Sequence, residues 1–300
     1  MPINRTKLAE RAMATSSLTE LLVRLDAWSG VLVLTYHRIG RPEESSLDPG
    51  VFSATPEDFE TQMALLARHF DVIAAPEALH ALGGPRSRAV IITFDDGYRD
   101  NFTHAYPSLR RLRLPATFFV TTGFVDRPQL PWWDEVFWRA SGDSLAPRRL
   151  AEHLRLDLPA ETPAAASAAV LERYKRLPQP AADAMLKRVR ELTGEPAPSF
   201  DVTSLWMTWD MIREMRNAGM TVGAHTVTHP VLTAITEDEQ DAEIGGSIER
   251  VTRETGRRTE LFAYPVGLPF TYDGSTRRAL TSKTNAHGPH GSPENTFARW

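Results

Sequence analysis

Two histidines and two adjacent aspartates are the residues whose types and spacing best suit chemistry. His225 and His229 are separated by three residues, and Pro230 favours a tight turn over a helix at the second histidine. Asp95 and Asp96 are neighbours. Taken separately, a histidine pair and an Asp-Asp-Gly turn are more often structural than functional. Together, two imidazoles and a carboxylate form the ligand set of a catalytic zinc site, with positions left for water and substrate.

The two adjacent aspartates are expected to take different roles. Neighbouring side chains at the end of a strand diverge, so one carboxylate can face a cation while the other faces the attacking water. A metal ligand and a general base are the natural pair of roles for Asp95 and Asp96.

Three polar motifs lie at or just after the carboxyl ends of predicted buried strands. They occupy residues 93–98, 225–230 and 262–267. In parallel α/β folds the carboxyl ends of the strands form the active face. This shared placement points to a functional site more strongly than any one motif does.

The elements that position these motifs alternate along the chain. Apolar runs predict strands at 31–36, 71–74, 89–94, 116–121, 220–224 and 261–264. Helices are predicted from Thr55 and Pro56 onward, through Leu109, and at 209–218 and 237–255. Strands that alternate with helices imply right-handed βαβ units and a parallel sheet or barrel.

Residues 126–205 interrupt this alternation. They contain an aromatic cluster, Ala/Pro-rich stretches and two predicted helices at 163–176 and 180–193, but no strand-like run. We interpret them as a helical insertion within a barrel spanning residues 31–300. A small separate helical domain is the alternative.

The two ends of the chain carry weaker patterns. Residues 1–30 predict an amphipathic helix without an export signal, which makes the cytoplasm the default compartment. Residues 281–300 contain no Leu, Ile, Val or Met, so we expect an irregular tail and a gap in the barrel beside residues 261–264. Either the barrel stays open or the native C-terminal end is missing, and the second interpretation is favoured.

Composition excludes several classes of function. The chain has 300 residues, 42% of them hydrophobic, and a formal net charge of −4, which gives no electrostatic case for nucleic acid. The sequence contains no apolar run long enough to span a membrane. The absence of cysteine excludes disulfides, thiol nucleophiles and cysteine-based zinc sites.

The motifs resemble those of the polysaccharide deacetylase family, the chitooligosaccharide deacetylase-like metal-dependent carbohydrate esterases. Residues 93–97 and 225–229 resemble its first two signature motifs, and residues 262–267 resemble the third. Residues 34–39 are similar to a bacterial subgroup, and the resemblance runs from about residue 30 to 280. It implies a distorted (β/α) barrel of about seven strands. It also implies hydrolysis of N-acetyl groups from amino sugars.

The resemblance implies a role for each matching position. Asp95 matches the general base, whereas Asp96, His225 and His229 match the ligands of one divalent metal ion, usually zinc. The backbone N–H of Val266 would stabilise the oxyanion of the tetrahedral intermediate.

Two features depart from the family pattern. Ala263 stands where many members have an arginine that orients the base. The late Leu-x-His motif that supplies the general acid is not present, and neither His287 nor His290 is assigned to that role because no strand precedes them.

Five residues are candidates for substrate contact. His37 follows a predicted strand and could reach the active face, although a plain hydrogen-bonded histidine is the alternative. Trp132 and Trp133 could stack on sugar rings or pack within the insertion. Tyr264 and Pro265 belong to the third motif.

Three functions remain open at this point. The leading hypothesis is metal-dependent removal of acetyl groups from an N-acetylated glycan, which needs an open groove. The second is hydrolysis of a small amide or cyclic imide, which needs a closed pocket. The third is a catalytically impaired glycan-binding relative, favoured only by the missing acid motif.

Overall fold

The computed structural model describes residues 30–78, 88–156, 161–194 and 201–284. The predicted helix near the N-terminus and residues 285–300 of the predicted tail lie outside the described residues. None of the described helices has the length and apolar character needed to cross a membrane.

The described strands pair in parallel. They are β1 (Gly30–Tyr36), β2 (Arg38–Ile39), β3 (Phe52–Ala54), β4 (Asp71–Val72), β5 (Arg88–Phe94), β6 (Thr117–Val120) and β7 (Thr221–Ala224). β5 pairs with β1 along its whole length. On its other edge, β4 pairs near the start of β5 and β6 near its end, and β7 continues the sheet beside β6.

The α-helices follow or connect these strands. They are α1 (Pro56–His69), α2 (Tyr106–Leu112), α3 (Thr122–Asp126), α4 (Trp132–Ala140), α5 (Ala146–Leu154), α6 (Pro163–Tyr174), α7 (Gln179–Thr193), α8 (Trp209–Asn217), α9 (Glu237–Thr255) and α10 (Gly274–Thr284). The predicted start of α1 is confirmed, since the Thr55 hydroxyl accepts the Asp58 N–H and Pro56 is the first helical residue.

The prediction of a strand at residues 261–264 is wrong. Only Phe262 forms a bridge, opposite Ala224, through hydrogen bonds of 3.0 Å on either side. The reason is local, because Pro265 lacks an N–H and Val266 turns the chain at a φ of 64°. Among the described strands β1 pairs only with β5, and the expected gap between residues 261–264 and β1 stays a prediction.

The prediction of an irregular tail is also wrong for residues 281–284, which form the last turn of α10. Leu280 and Thr284 are both buried, with 4% of each residue exposed. Lys283 adds an ion pair to Asp241 of α9, with the Nζ atom 2.7 Å from the carboxylate. Packing against α9 therefore gives this polar segment a helical structure.

Two large apolar cores lie in the described part of the chain, beside a small cluster of Ala75, Ala78 and Ile91. The larger core joins the sheet to α1, α2, α8, α9 and α10. The second core lies among the described helices of residues 126–205, and it includes Tyr98 and Phe124 from outside α4–α7. Tyr98 and Phe124 thus connect these helices to the sheet region, and the choice between an insertion and a separate domain stays a prediction.

Candidate active site

The three residues predicted as metal ligands meet at the carboxyl edge of the sheet. Asp96 follows β5, and His225 and His229 follow β7. The Nε2 atoms of His225 and His229 lie 3.4 and 3.3 Å from Oδ1 of Asp96. All candidate ligand atoms lie within 4.8 Å of one another, and all three residues are buried.

This geometry fits a small divalent cation. Two donor atoms that each lie about 2.1 Å from a tetrahedral ion are about 3.4 Å apart. The His-to-Asp separations match that value. In addition, Oδ1 of Asp96 is buried and accepts no hydrogen bond of ordinary geometry from the residues that the structure describes. A cation would satisfy this carboxylate oxygen, whose burial without a partner is otherwise unfavourable.

The imidazole of His225 is oriented by a backbone carbonyl. Its Nδ1 lies 2.8 Å from the carbonyl oxygen of Ala263, so the Nδ1–H donates there and Nε2 is directed to Asp96. Such a second hydrogen bond commonly fixes the tautomer of a metal-binding histidine. Ala263, which replaces the family arginine, thus contributes through its backbone.

The turn between the two histidines is held by side-chain and backbone contacts from two helices. The Glu243 carboxylate of α9 accepts the N–H groups of Val227 and Thr228, both at 2.8 Å. The Gly123 N–H, within α3, donates to the Val227 carbonyl at 2.8 Å. These contacts fix the backbone that carries both imidazoles.

Backbone strain is concentrated around the site. Asp96, Thr226, His229 and Val266 have positive φ angles of 74°, 64°, 60° and 64°. Such angles are unfavourable for most residues, and for the β-branched Thr226 and Val266 they are true outliers. Strain of this kind persists where surrounding contacts overdetermine the backbone, typically at functional sites.

The electrostatics of the site keep Asp96 ionised. Burial alone would raise the pKa of Asp96, but the imidazoles of His225 and His229 outweigh it and hold the pKa well below its usual range. Burial lowers the pKa of His229, which leaves a neutral imidazole. Burial alone would lower the pKa of His225, but the carboxylates of Asp96 and Asp95 outweigh this effect and raise it.

Asp95 and His37 lie on the same face as the candidate ligands. Asp95 is buried, and its N–H donates to the Tyr36 carbonyl at the end of β1. His37, the next residue after Tyr36, is half-buried, and its charge lowers the pKa of Asp96. The structure therefore brings the predicted base and one predicted substrate contact to the candidate metal site.

The aromatic candidates lie beside His229 but are mostly covered. Trp133 is 7% exposed and packs in the second core. Trp132 is half-buried, and its ring stacks on Tyr174 at a centroid distance of 4.5 Å. These positions favour packing over sugar stacking for Trp133.

The third-motif candidates are buried as well. The Tyr264 ring stacks on Tyr272 at 4.5 Å, and Pro265 is buried beneath the turn at Val266. Substrate contact by Tyr264 and Pro265 stays a prediction, and the burial of Tyr264 favours a packing role.

Two residues of this region are not identified from the sequence. Tyr98 is the last residue of the first motif and is fully buried, which its place next to the aspartates could have signalled. Glu243 lies among several other acidic residues on α9, so the local pattern carries no signal for its contact with the histidine turn.

This chain matches a family model and several known proteins in sequence. The polysaccharide deacetylase family model matches residues 83–285. A poly-beta-1,6-N-acetyl-D-glucosamine N-deacetylase of Staphylococcus aureus is 30% identical over 109 residues, which are 32% of this chain and 38% of the relative. An Escherichia coli protein of the same description is 25% identical over 126 residues, 39% of this chain and 18% of the relative. The chain thus spans well under half the length of these curated relatives.

A solved structure shares the fold. The Streptococcus pyogenes deacetylase PplD, in complex with acetate, superposes with a TM-score of 0.52 at 19% identity. The superposition covers 85% of this chain and 80% of that protein. The fold common to the two chains is the (β/α) barrel type inferred from the motifs.

Proposed function

Because this chain belongs to the polysaccharide deacetylase family, we propose that it is a metal-dependent hydrolase that removes N-acetyl groups from the amino sugars of a glycan. The observation that carries the proposal is the convergence of two imidazole nitrogens on one oxygen of Asp96, at 3.3 and 3.4 Å. The descriptions of the Staphylococcus aureus and Escherichia coli relatives support the same reaction.

Zinc is the metal that we propose for this site. Two imidazoles and one carboxylate are a usual donor set for catalytic zinc. When bound, a divalent ion supplies Lewis-acid polarisation of the acetyl carbonyl and of the attacking water. Asp96, His225 and His229 would hold it, and their burial limits competing water.

Asp95 is the proposed general base. It is buried next to Asp96 and close enough to His225 to raise the pKa of that imidazole. In the proposed reaction, Asp95 accepts a proton from water as the water oxygen bonds to the acetyl carbon. The backbone N–H of Val266, in the turn after Pro265, is the proposed donor to the resulting oxyanion.

His37 is the proposed general acid. In the parallel pairing of β1 with β5, Tyr36 lies opposite Phe94, so the next residues, His37 and Asp95, emerge side by side. The charge of His37 lowers the pKa of Asp96, which supports a location of His37 near the reacting groups. When the C–N bond breaks, the amine leaves with a proton from His37, and the products are acetate and the free amino sugar.

A polymeric substrate is favoured over a small amide. The residues that follow the Val266 turn, 268–270, are exposed, so that side of the site opens to solvent. Phe270 is 37% exposed, and the Arg176 guanidinium lies 4.6 Å from its ring centroid. An exposed surface that includes an aromatic ring would accommodate the sugar units next to the one that loses its acetyl group. From the descriptions of the relatives, we propose β-1,6-linked N-acetylglucosamine as the substrate class.

Acetate release from defined oligomers tests the proposal. The zinc-loaded protein is incubated with β-1,6-linked and β-1,4-linked N-acetylglucosamine oligomers and, separately, with small amides and cyclic imides. We expect acetate and an equal amount of free amine, fastest with the β-1,6 series. Turnover of the small amides alone would overturn the glycan proposal. Glycan binding without acetate release would instead identify a non-catalytic relative.

A further inference from the structure

The two candidate histidine ligands are held in different ways. His225 has its second ring nitrogen hydrogen-bonded to the Ala263 carbonyl at 2.8 Å. The corresponding Nδ1 atom of His229 is buried and has no hydrogen-bond partner among the residues that the structure describes. The ring of His229 therefore needs another means of keeping its Nε2 directed at Asp96.

Two tryptophans at the start of α4 contact His229. The Trp133 ring packs against the imidazole at a centroid distance of 4.5 Å, with the two rings inclined by 61°. The Trp132 Nε1–H points to the His229 carbonyl at 3.4 Å. Trp133 therefore lies against the imidazole of His229, and Trp132 lies against its backbone.

Trp133 is itself fixed by a buried chain of hydrogen bonds. Its Nε1–H donates to the Tyr98 hydroxyl at 2.8 Å, and that hydroxyl donates to Oδ2 of Asp134 at 3.0 Å. Oδ1 of Asp134 accepts the Asp48 N–H at 3.0 Å. Tyr98 and Asp134 are fully buried, so each broken link would leave an unpaired polar group.

We propose that Trp133 is a positioning residue for the metal ligand His229, held in place by the hydrogen-bonded chain Asp134–Tyr98–Trp133. The chain ties the inserted helix α4 to the metal site, so the insertion contributes to metal affinity without supplying a ligand. This inference rests on the proposed metal site but not on the identity of the substrate. Residues that orient metal ligands typically change metal affinity 10- to 100-fold when they are replaced.

Zinc affinity and the visible spectrum of bound cobalt test this role. Trp133→Phe keeps an aromatic ring but loses the N–H, and we expect zinc to bind roughly tenfold more weakly. Trp133→Leu should cause a larger loss. The cobalt absorption bands should shift in both variants, because a rotated imidazole changes the ligand geometry. Trp138→Phe is the matched control, since Trp138 lies on the same helix beside Arg139.

A second variant keeps the test decisive if replacement of Trp133 prevents folding. Tyr98→Phe removes only the hydroxyl that links Trp133 to Asp134, and a several-fold loss of zinc affinity is expected. Unchanged zinc affinity and unchanged cobalt spectra in the folded variants would assign Trp133 to packing alone. Wild-type protein that binds zinc but releases no acetate would overturn the proposed activity and leave the positioning role intact.

Discussion

Asp95 and Asp96 are adjacent in the chain but differ in backbone geometry and surroundings. Asp96 adopts a φ of 74° and meets both imidazoles, whereas Asp95 continues from β5 and pairs its N–H with the Tyr36 carbonyl. The reversal of the backbone at Asp96 gives the two neighbours different directions. This difference is the physical basis for proposing Asp96 as the metal ligand and Asp95 as the base.

Replacing the proposed base should separate turnover from metal binding. In Asp95→Asn the amide cannot accept a proton, so we expect acetate release to fall at least about 100-fold. Zinc content, measured by atomic absorption, should stay near one ion per chain. Asp96→Asn is the matched comparison and should lose zinc and activity together. Loss of zinc from Asp95→Asn would make Asp95 a ligand instead.

The buried acid Asp134 should make stability depend on pH. Burial raises the pKa of Asp134 from 3.8 to about 7, although Arg38, the Asp48 N–H and the Tyr98 hydroxyl act in the opposite direction. The unfolded chain ionises above pH 4 while the folded chain keeps the acid neutral, so stability falls as the pH rises and levels off above 7.

Chemical denaturation of Asp134→Asn at pH 5 and pH 8 measures this effect. Relative to the variant, the wild type should lose about 2–3 kcal/mol of unfolding free energy between the two pH values. Asp183→Asn, on an exposed position of α7, controls for removal of a carboxylate. An equal pH dependence in wild type and Asp134→Asn would show that Asp134 is ionised throughout.

At the scale of elements, the turn from His225 to His229 is fixed by its neighbours α3 and α9. Its backbone N–H groups at Val227 and Thr228 bind Glu243, and its carbonyl at Val227 accepts the Gly123 N–H. Turns on a protein surface are usually mobile, but this one is held on both sides. The positions of the candidate ligands His225 and His229 therefore depend on how α3 and α9 pack against this turn.

A single methyl group should disturb that packing. A Cβ atom at Gly123 would lie 2.4 Å from the Val227 carbonyl oxygen, and backbone cannot retreat as a flexible side chain can. We expect Gly123→Ala to lower the unfolding free energy by about 1–3 kcal/mol and to weaken zinc binding. Gly274→Ala, whose Cβ would meet only Arg278 at 3.5 Å, is the control. Wild-type zinc affinity in Gly123→Ala would contradict this account of the turn.

The elements that could be predicted from sequence are those with strong local signals. β5 follows from the apolar run at 89–94, and α9 corresponds to the helix predicted at 237–255, where the structure shows a capping box of Thr236 and Glu239. The predictions for residues 261–264 and 281–284 are wrong for two different reasons. The turn at Pro265 and Val266 directly follows the first segment, whereas a distant contact decides the structure of the second. The first segment meets only Ala224, and the second is held by α9.

Across the whole molecule, the residues of the candidate site also divide into those that a local sequence pattern predicts and those that only distant contacts bring together. Asp95, Asp96, His225 and His229 lie in short motifs, so their roles could be inferred from resemblance. Contacts between elements far apart in the chain carry no such local pattern. The Trp133–Tyr98–Asp134 chain and the Glu243 contact therefore emerge only from the folded structure.

One measurement tests the central claim that Asp96, His225 and His229 hold the catalytic metal. The protein is stripped with a chelator, zinc is added back in steps, and bound zinc and acetate release from β-1,6-linked N-acetylglucosamine oligomers are measured on the same samples. We predict no activity in the stripped protein and full recovery at one zinc per chain, with neither binding nor recovery in His225→Asn. Full acetate release from the stripped protein, or normal zinc binding by His225→Asn, would contradict the account.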